Sequence, residues 1–226
     1  MRITEPRTDN DERIPAWRQD EDLIHVKHFD SALHSLPLLN LNGGREAILE
    51  YFHSTWALTE LLFSSLASPA AFYLRPYHKT RHPLIFYYAH PVCFYVNKLL
   101  VAGLISEPVN KDFELLFETG VDEMNWDDLH DGKDDVWPEL EAVINYRNAV
   151  FKLVEKVIST HPCFDEPVTM DSPGWAVVMA FEHERIHLET SSVLIRELPA
   201  DQVTTPTGWP ELHSSRTTVN LQPEPG

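Results

Sequence analysis

The sequence predicts an all-α fold, an antiparallel four-helix bundle with irregular segments at both ends. Four stretches are long enough to form helices, and in them apolar residues recur at steps of three and four, the spacing of one helix face. The segments that join them are short and hold prolines, glycines and acidic residues, which favour turns. Helices joined by short connections run antiparallel and share one core.

Three parts of the chain differ in composition. Residues 1–40 form a polar lead-in, and their first half is rich in charge. Residues 41–198 carry the predicted bundle. Residues 199–226 contain five prolines together with threonine and serine, a composition typical of a linker.

The first helix is predicted from Gly44 onward, across the stretch "REAILEYFHSTWALTELLFSSL". One face of this helix carries Ile48, Phe52, Thr55, Thr59, Leu62 and Leu66. The segment 68–81 interrupts the pattern with Pro69 and Pro76, and it is predicted to be an ordered loop.

The second helix is predicted across "HPLIFYYAHPVCFYVNKLLVAGL", residues 82–104. It is apolar on nearly every side, so we expect it in the core. A strand is the alternative for such an aromatic-rich stretch, but a length of about 22 residues favours a helix. Pro91 lacks a backbone donor and predicts a kink or a break just before it.

A short helix is predicted at residues 108–120, capped by Gly120, and an acidic loop follows at 124–135. Residues 136–160 then have the clearest helical periodicity in the chain.

The last long helix is predicted to begin within "DSPGW", residues 171–175. Asp171 or Ser172 is the expected N-cap, and Pro173 the first helical residue. The helix is expected to end near Glu197, before the proline-rich segment.

The charge and composition exclude several classes of function. Lysine and arginine number 18 against 35 aspartate and glutamate residues, a net charge of −17. A surface this acidic argues against nucleic acid and anionic membranes as partners. No apolar run approaches the ~20 residues that span a bilayer, and the N-terminus lacks the apolar core of a signal peptide. With only Cys93 and Cys163 present, no disulfide framework is implied, and the chain is predicted to be cytoplasmic.

The stretch "AFEHERIHLETSS", residues 180–192, places His183 and His187 four positions apart. On a helix these positions lie one turn apart on the same face, so both imidazoles can bind one metal ion. A pair of solvated surface histidines is the alternative. Glu189 is rotated by about 200° from His187 and is therefore expected to support the site or the helix packing rather than bind metal.

A third ligand is expected from the second helix. His90 lies among apolar residues there, where an imidazole is costly to bury without a partner. Weaker candidates are His82 at the start of that helix, Cys93 one turn after His90, and His53 on the first helix.

"HERIH" also matches the zinc-protease pattern H-E-x-x-H, in which Glu184 would be the general base. The longer form of that pattern requires a glycine where this chain has Thr190 and a histidine where it has Val193. A downstream carboxylate such as Glu211 could complete a zinc site, but it lies in the proline-rich segment. The protease interpretation is therefore disfavoured.

Residues 40–200 resemble the N-terminal DinB-like iron-binding domain of the sulfoxide synthases that begin ergothioneine and ovothiol biosynthesis, and in particular 5-histidylcysteine sulfoxide synthase. The resemblance rests on "RHPLIFYYAHPVCFYVNKL" and "FEHERIHLETSSVLIRELP", with support from "YFHSTWALTELLF". The family signature H-x-x-x-H-x-E is met by His183, His187 and Glu189, and an earlier histidine after alanine is met by His90. The resemblance implies a DinB-like bundle in which the three histidines bind non-haem iron(II).

The resemblance also implies a reaction and a partner. Cysteine, histidine and O2 would be the substrates of an oxidative C–S coupling that yields a sulfoxide. Ergothioneine enzymes often carry glutamine at the position of Ile186, so the substrates of that branch are not implied. Family members continue into a domain similar to the formylglycine-generating enzyme, so we expect such a domain in cis or in trans and expect this chain to be inactive alone.

Two other functions remain open from the sequence. One is a stand-alone DinB-like thiol transferase with a divalent metal on the same histidines, and the other is a metal-free helical interaction module. Substrate carboxylates require a cation, and the candidates are Arg75, Arg81, Arg147 and Arg185.

Overall fold

The computed structural model describes residues 37–78, 81–118 and 137–206. The described helices are α1 (Gly44–Phe63), α2 (Leu84–Val101), the short α3 (Lys111–Phe117), α4 (Leu140–Thr160) and α5 (Trp175–Arg196). No strand occurs within these ranges apart from an isolated antiparallel bridge between Leu66 and Val203. The prediction of an all-α bundle is confirmed.

α2 is the central helix of the bundle, as its apolar composition predicts. It packs against α5, α4 and α3, and every residue from Leu84 to Val96 is buried. By length and composition α2 is the one described helix that could cross a membrane, yet 78% of it is buried inside the protein. Its apolar surface is therefore used to form the core of the bundle.

Of the kink or break predicted at Pro91, the break is wrong. α2 continues from Leu84 to Val101 with Pro91 buried inside it. Packing on all sides of the helix compensates for the one backbone hydrogen bond that proline cannot make. In the preceding turn, the carbonyl oxygen of Tyr88 accepts a hydrogen bond from the guanidinium of Arg147.

The predicted start of the last helix is also wrong. α5 begins at Trp175 with Gly174 as its N-cap, two residues later than expected. The Ser172 hydroxyl donates to the carbonyl oxygen of Thr169 at 3.0 Å and caps no helix. The backbone amides of Trp175 and Val177 bond three residues back, so the chain enters α5 through tighter turns.

The other predicted helix ends differ from the structure by up to four residues. α4 begins at Leu140, four residues later than predicted, and Glu139 before it has an extended backbone. α3 is shorter than predicted, from Lys111 to Phe117 instead of 108–120. Gly120 and the acidic loop 124–135 lie outside the described residues. Beyond the predicted end of the bundle, Thr204 donates its backbone N–H to Ser65 at 2.7 Å, so this part of the 199–226 segment contacts the bundle.

Candidate metal centre

The three histidines singled out in the sequence face one another between α2 and α5. His90 comes from α2, and His183 and His187 from α5. One nitrogen of each ring lies within 4.8 Å of the corresponding nitrogens of the other two. Among the described residues, this is the group of histidine, cysteine and carboxylate side chains that could hold a metal ion.

The spacing of the two α5 histidines suits a shared ion. Their Nε2 atoms lie 3.1 Å apart. Two imidazole nitrogens at bonds of about 2.1 Å and at right angles around an ion are separated by about 3.0 Å, and in a tetrahedron by about 3.4 Å. The helical spacing of four residues therefore brings both nitrogens close to coordinating distance before any metal binds.

His90 is oriented by the short helix α3. Its Nδ1 donates a hydrogen bond of 2.6 Å to the carbonyl oxygen of Phe117, the last residue of α3. Because carbonyls at a helix end lack intrahelical partners, this oxygen is available to an outside donor. With the proton on Nδ1, Nε2 is the nitrogen of His90 whose lone pair is available to a metal, and the carbonyl makes the ring a better ligand.

Aromatic rings hold two of the imidazoles in place. Phe94 stacks on His183 with centroids 3.9 Å apart and an interplanar angle of 17°. Phe86 stacks on His90 at 4.9 Å. These contacts restrict rotation of the two imidazole rings.

The histidines are neutral in the folded chain. Burial, together with the charge that His187 would carry, lowers the pKa of His183 to about 2. Burial, with His90 and then Arg81 as further causes, lowers the pKa of His187 to about 3. Burial also lowers the pKa of His90. Metals bind the neutral imidazole, so the rings need release no net proton on binding near neutral pH, although the proton shared by the two Nε2 atoms must move to Nδ1.

The Nδ1 atoms of His183 and His187 are buried and have no hydrogen-bond partner among the described residues. A buried polar atom without a partner is costly. A metal on Nε2 does not satisfy these atoms, but it fixes their protonation, because the proton must then reside on Nδ1. The three-imidazole donor set, its neutrality and its spacing all fit a divalent transition metal.

Glu184 does not face the metal site, which removes the basis of the zinc-protease interpretation. Its carboxylate is fully buried and accepts hydrogen bonds from Thr59 at 2.8 Å and Tyr95 at 2.7 Å. Burial raises the pKa of Glu184. A general base must reach the water beside the ion, and this carboxylate is instead held against α1 and α2.

The weaker ligand candidates are bound elsewhere. The Nε2 atom of His53 lies 2.9 Å from a carboxylate oxygen of Glu155. The Cys93 thiol donates to the carbonyl oxygen of Glu114 at 3.1 Å, burial raises its pKa to about 12, and it lies outside the group of candidate ligands. The His82 ring contacts Phe86 in a tilted arrangement, with centroids 4.5 Å apart, and lies outside the cluster.

Glu189 is exposed and lies outside the group of candidate ligands, as its rotation on the helix predicts. It lines a groove together with Arg81. Its assignment as a support of the metal site stays a prediction.

The four candidate arginines differ in burial and in their contacts. Arg147 is fully buried and pairs with Glu60 at 2.7 Å, and Arg185 donates to Thr55 at 2.9 Å and stacks over the Tyr51 ring. Both guanidinium groups are therefore held by side chains of α1. Arg75 and Arg81 are exposed.

Sequence reasoning missed the carbonyl of Phe117 and the ring of Phe94. A backbone carbonyl has no sequence signature. Phe94 lies four residues after His90 and could have been proposed from that helical spacing.

Comparison with protein families supports the fold. The family model of the DinB superfamily matches residues 51–191, which include all three histidines. The chain belongs to the DinB superfamily. No curated protein matches the chain. In this DinB-superfamily chain, the matched residues include the three-histidine cluster that could hold a metal ion.

Proposed function

We propose that this DinB-superfamily chain binds iron(II) through His90, His183 and His187 and is the metal-binding part of a 5-histidylcysteine sulfoxide synthase. The observation that carries the metal site is the convergence of three neutral imidazoles within 4.8 Å between two helices. The reaction and the identity of the metal are supported by the sequence resemblance described above.

The iron would supply O2 activation for the coupling of cysteine to histidine. In the balanced reaction the S–H of cysteine and a ring C–H of histidine are lost, a C–S bond forms, one oxygen atom goes to sulfur, and the other leaves as water. Three protein ligands leave three positions of an octahedral ion for the reactants. Neutral imidazoles leave the ion more cationic than a carboxylate would, which favours an anionic thiolate.

The chain's own residues prepare the site for such an ion. Phe117 orients His90, and Phe94 and Phe86 hold the rings of His183 and His90. The ligands are therefore arranged before the metal arrives, which lowers the entropy lost on binding.

An apolar stripe on the surface of α5 supports the proposal that a second domain covers this helix. Met179, Ile186 and Val193 repeat every seven residues and are 41%, 63% and 45% exposed. Residues seven apart on a helix lie on one side, here the side that also carries His183. We propose that a domain similar to the formylglycine-generating enzyme, in cis or in trans, covers this stripe and completes the substrate site.

A stand-alone thiol transferase is the second candidate, and the same observation supports it. Three histidines that hold a divalent metal can activate a small thiol without O2 and without a second domain. Thiol-dependent transfer under anaerobic conditions would favour this function over the sulfoxide synthase.

The test of the metal site is iron content after anaerobic reconstitution with iron(II). We expect one iron per wild-type chain and loss of iron in His90→Ala, His183→Ala and His187→Ala. His53→Ala is the matched control, because it removes an imidazole of the same bundle that lies outside the cluster. Iron retained in His90→Ala, with the helical circular dichroism of the wild type, would contradict the three-histidine site.

The test of the reaction follows on the iron-loaded chain. With cysteine, histidine and O2, and a separately produced second domain, we expect a product with the mass of the two amino acids plus one oxygen atom minus two hydrogen atoms. O2 uptake must match product formation. Equal activity without O2 would contradict the synthase and favour the transferase.

A further inference from the structure

A groove of about 440 Å³ extends along the C-terminal half of α5. This volume falls within the roughly 300–1,000 Å³ typical of small-molecule sites. The residues that line it are His78, Arg81, Glu189, Thr190, Val193, Leu194 and Glu197. The groove thus combines an arginine, two carboxylates and an apolar wall.

The groove lies next to the histidine cluster. Thr190 and Leu194 follow His187 by three and seven residues, so they continue the same side of α5 over the next two turns. At the opposite wall, Arg81 hydrogen-bonds to the hydroxyl of Tyr87, whose ring lies 6.1 Å from that of His187. A ligand in this part of the groove is therefore near the metal site.

Arg81 is the cation best placed to meet a ligand. Among residues 37–78, 81–118 and 137–206, the side-chain ion pairs join Arg45 to Asp165, His53 to Glu155 and Arg147 to Glu60. Arg81 thus has no carboxylate partner within those ranges, although a negatively charged residue, Glu189, lines the same groove. A guanidinium presents several donors in one plane and can bind a carboxylate with two parallel hydrogen bonds.

We propose that this groove binds the zwitterionic head of an α-amino acid, with its carboxylate on Arg81 and its ammonium group on Glu189. The proposal rests on the proposed function, because it assigns the site of an amino-acid substrate beside the same metal. Glu189 is chosen over Glu197 because it lies about 3 Å from His187 along the axis of α5, whereas Glu197 lies about 15 Å from it. Its rotation of about 200° from His187 keeps its carboxylate off the ion, and it lines the groove instead. The conspicuous glutamate of the H-x-x-x-H-x-E pattern thereby gains a role in binding substrate.

Three thiols that differ in one charged group test the proposal. L-cysteine has both groups, cysteamine lacks the carboxylate, and 3-mercaptopropionate lacks the ammonium group. Each is titrated by calorimetry into the chain loaded with zinc or cobalt(II), so that no O2 chemistry intervenes. The variants are Arg81→Ala with Arg75→Ala as its control, and Glu189→Gln with Glu141→Gln, at an exposed glutamate outside the groove, as its control.

We expect Arg81→Ala to lower the affinity for L-cysteine and 3-mercaptopropionate roughly tenfold to hundredfold and to leave the affinity for cysteamine unchanged. Glu189→Gln should lower the affinity for L-cysteine and cysteamine and leave that for 3-mercaptopropionate unchanged. The controls should bind all three thiols as the wild type does. Equal losses for all three thiols in a variant, or equal effects of the control substitutions, would overturn the proposal.

The failure of this inference differs from failure of the proposed function. If metal binds through the three histidines and the groove variants behave as wild type, the groove assignment is wrong and the metal site stands. If no metal binds, the proposed function fails. The same titrations on the metal-free chain then show whether the groove binds the amino-acid head. If wild-type protein, with or without metal, does not bind L-cysteine at roughly 10 mM, the proposed amino-acid site is wrong.

Discussion

The Nδ1 atom of His90 donates to the carbonyl oxygen of Phe117 at 2.6 Å, so the short helix α3 determines how a candidate metal ligand is oriented. Hydrogen bonds at its N-terminus stabilise α3. The side chain of Asn110 accepts from the amide of Phe113, and the carboxylate of Glu114 accepts from the amides of Val109 and Asn110 at 2.9 Å. Metal affinity should therefore depend on a cap that touches no ligand.

Asn110→Ala removes this cap. We expect the free energy of unfolding to fall by about 1 kcal/mol. We also expect metal affinity to fall several-fold, because the Phe117 carbonyl becomes less well positioned and partners of ligating histidines affect affinity by ten- to hundredfold. Urea unfolding and a competitive chelator titration measure the two effects. Ile158→Val, a core change of about 1 kcal/mol on α4, is the control. If both variants reduce affinity equally, general destabilisation and not α3 is the cause.

The second prediction concerns the pH dependence of the metal-free chain. The pKa values of His183 and His187 are lowered to about 2 and about 3, below the ordinary value of 6.5. Below pH 6.5 the unfolded chain binds protons on these imidazoles and the folded chain does not. Their contribution to stability is therefore present above pH 6.5 and is lost as the pH falls from 6.5 towards 3.

Each of these histidines should contribute a slope of up to about 1.4 kcal/mol per pH unit below pH 6.5. His187→Gln removes one titrating group, so the free energy of unfolding of this variant should depend less steeply on pH. Urea unfolding at several pH values between 7.5 and 5 measures both slopes. His53→Gln, at a histidine outside the cluster, gives the comparison, and a reduction as large as that of His187→Gln would contradict the prediction.

A buried ion pair gives the third prediction. Arg147 donates to Glu60 through Nε at 3.0 Å and through Nη2 at 2.7 Å, and both side chains are almost fully buried. The Tyr88 hydroxyl donates to the same carboxylate at 2.9 Å. Removing one charge leaves the other without compensation in the core.

Arg147→Met and Glu60→Leu should each lower the free energy of unfolding by roughly 3–5 kcal/mol, and the double variant should lose much less than the sum. Chemical denaturation of the four proteins forms a double-mutant cycle. Arg45→Met breaks the partly exposed pair with Asp165 and should cost only about 1 kcal/mol. Additive losses in the cycle would mean that the two residues do not act as a pair.

Much of this fold follows from local patterns in the sequence. Apolar residues at steps of three and four predict α1, α2, α4 and α5, because burial of a continuous face dominates helix formation in a bundle. The start of α5 could not be predicted in the same way. Ser172 is a good N-cap residue, but its hydroxyl bonds to Thr169 in a local turn. Two local hydrogen-bonding patterns compete there, and residue type alone does not decide between them.

The candidate site is likewise predictable from the sequence only in part. The positions of His183 and His187 follow from helical spacing, and the cost of burying His90 indicates that it has a partner. The sequence does not indicate that this partner is a backbone oxygen of Phe117, because that contact depends on how α3 packs on α2. The contacts of Glu184 could not be predicted from the sequence, in which this residue fits the H-E-x-x-H pattern. The direction of its carboxylate depends on how α1 and α2 pack against α5.

Glu184 gives the last prediction. Its carboxylate is satisfied by the hydroxyls of Thr59 and Tyr95 within the core and does not face the histidine cluster. Tyr95→Phe removes one donor and should lower the free energy of unfolding by about 1–3 kcal/mol, because a buried acceptor loses its partner. Metal content should stay at the wild-type value, since neither residue belongs to the candidate ligands.

Tyr73→Phe is the matched control, because the Tyr73 hydroxyl donates at 2.9 Å to a backbone carbonyl, that of Pro138, in a partly exposed position. Its cost should be smaller than that of Tyr95→Phe, since water can replace the lost donor. Glu184→Gln should likewise keep the metal. If Glu184→Gln or Tyr95→Phe released the metal while the helical circular dichroism was unchanged, the carboxylate would have to act at the ion. The zinc-protease interpretation would then have to be considered again.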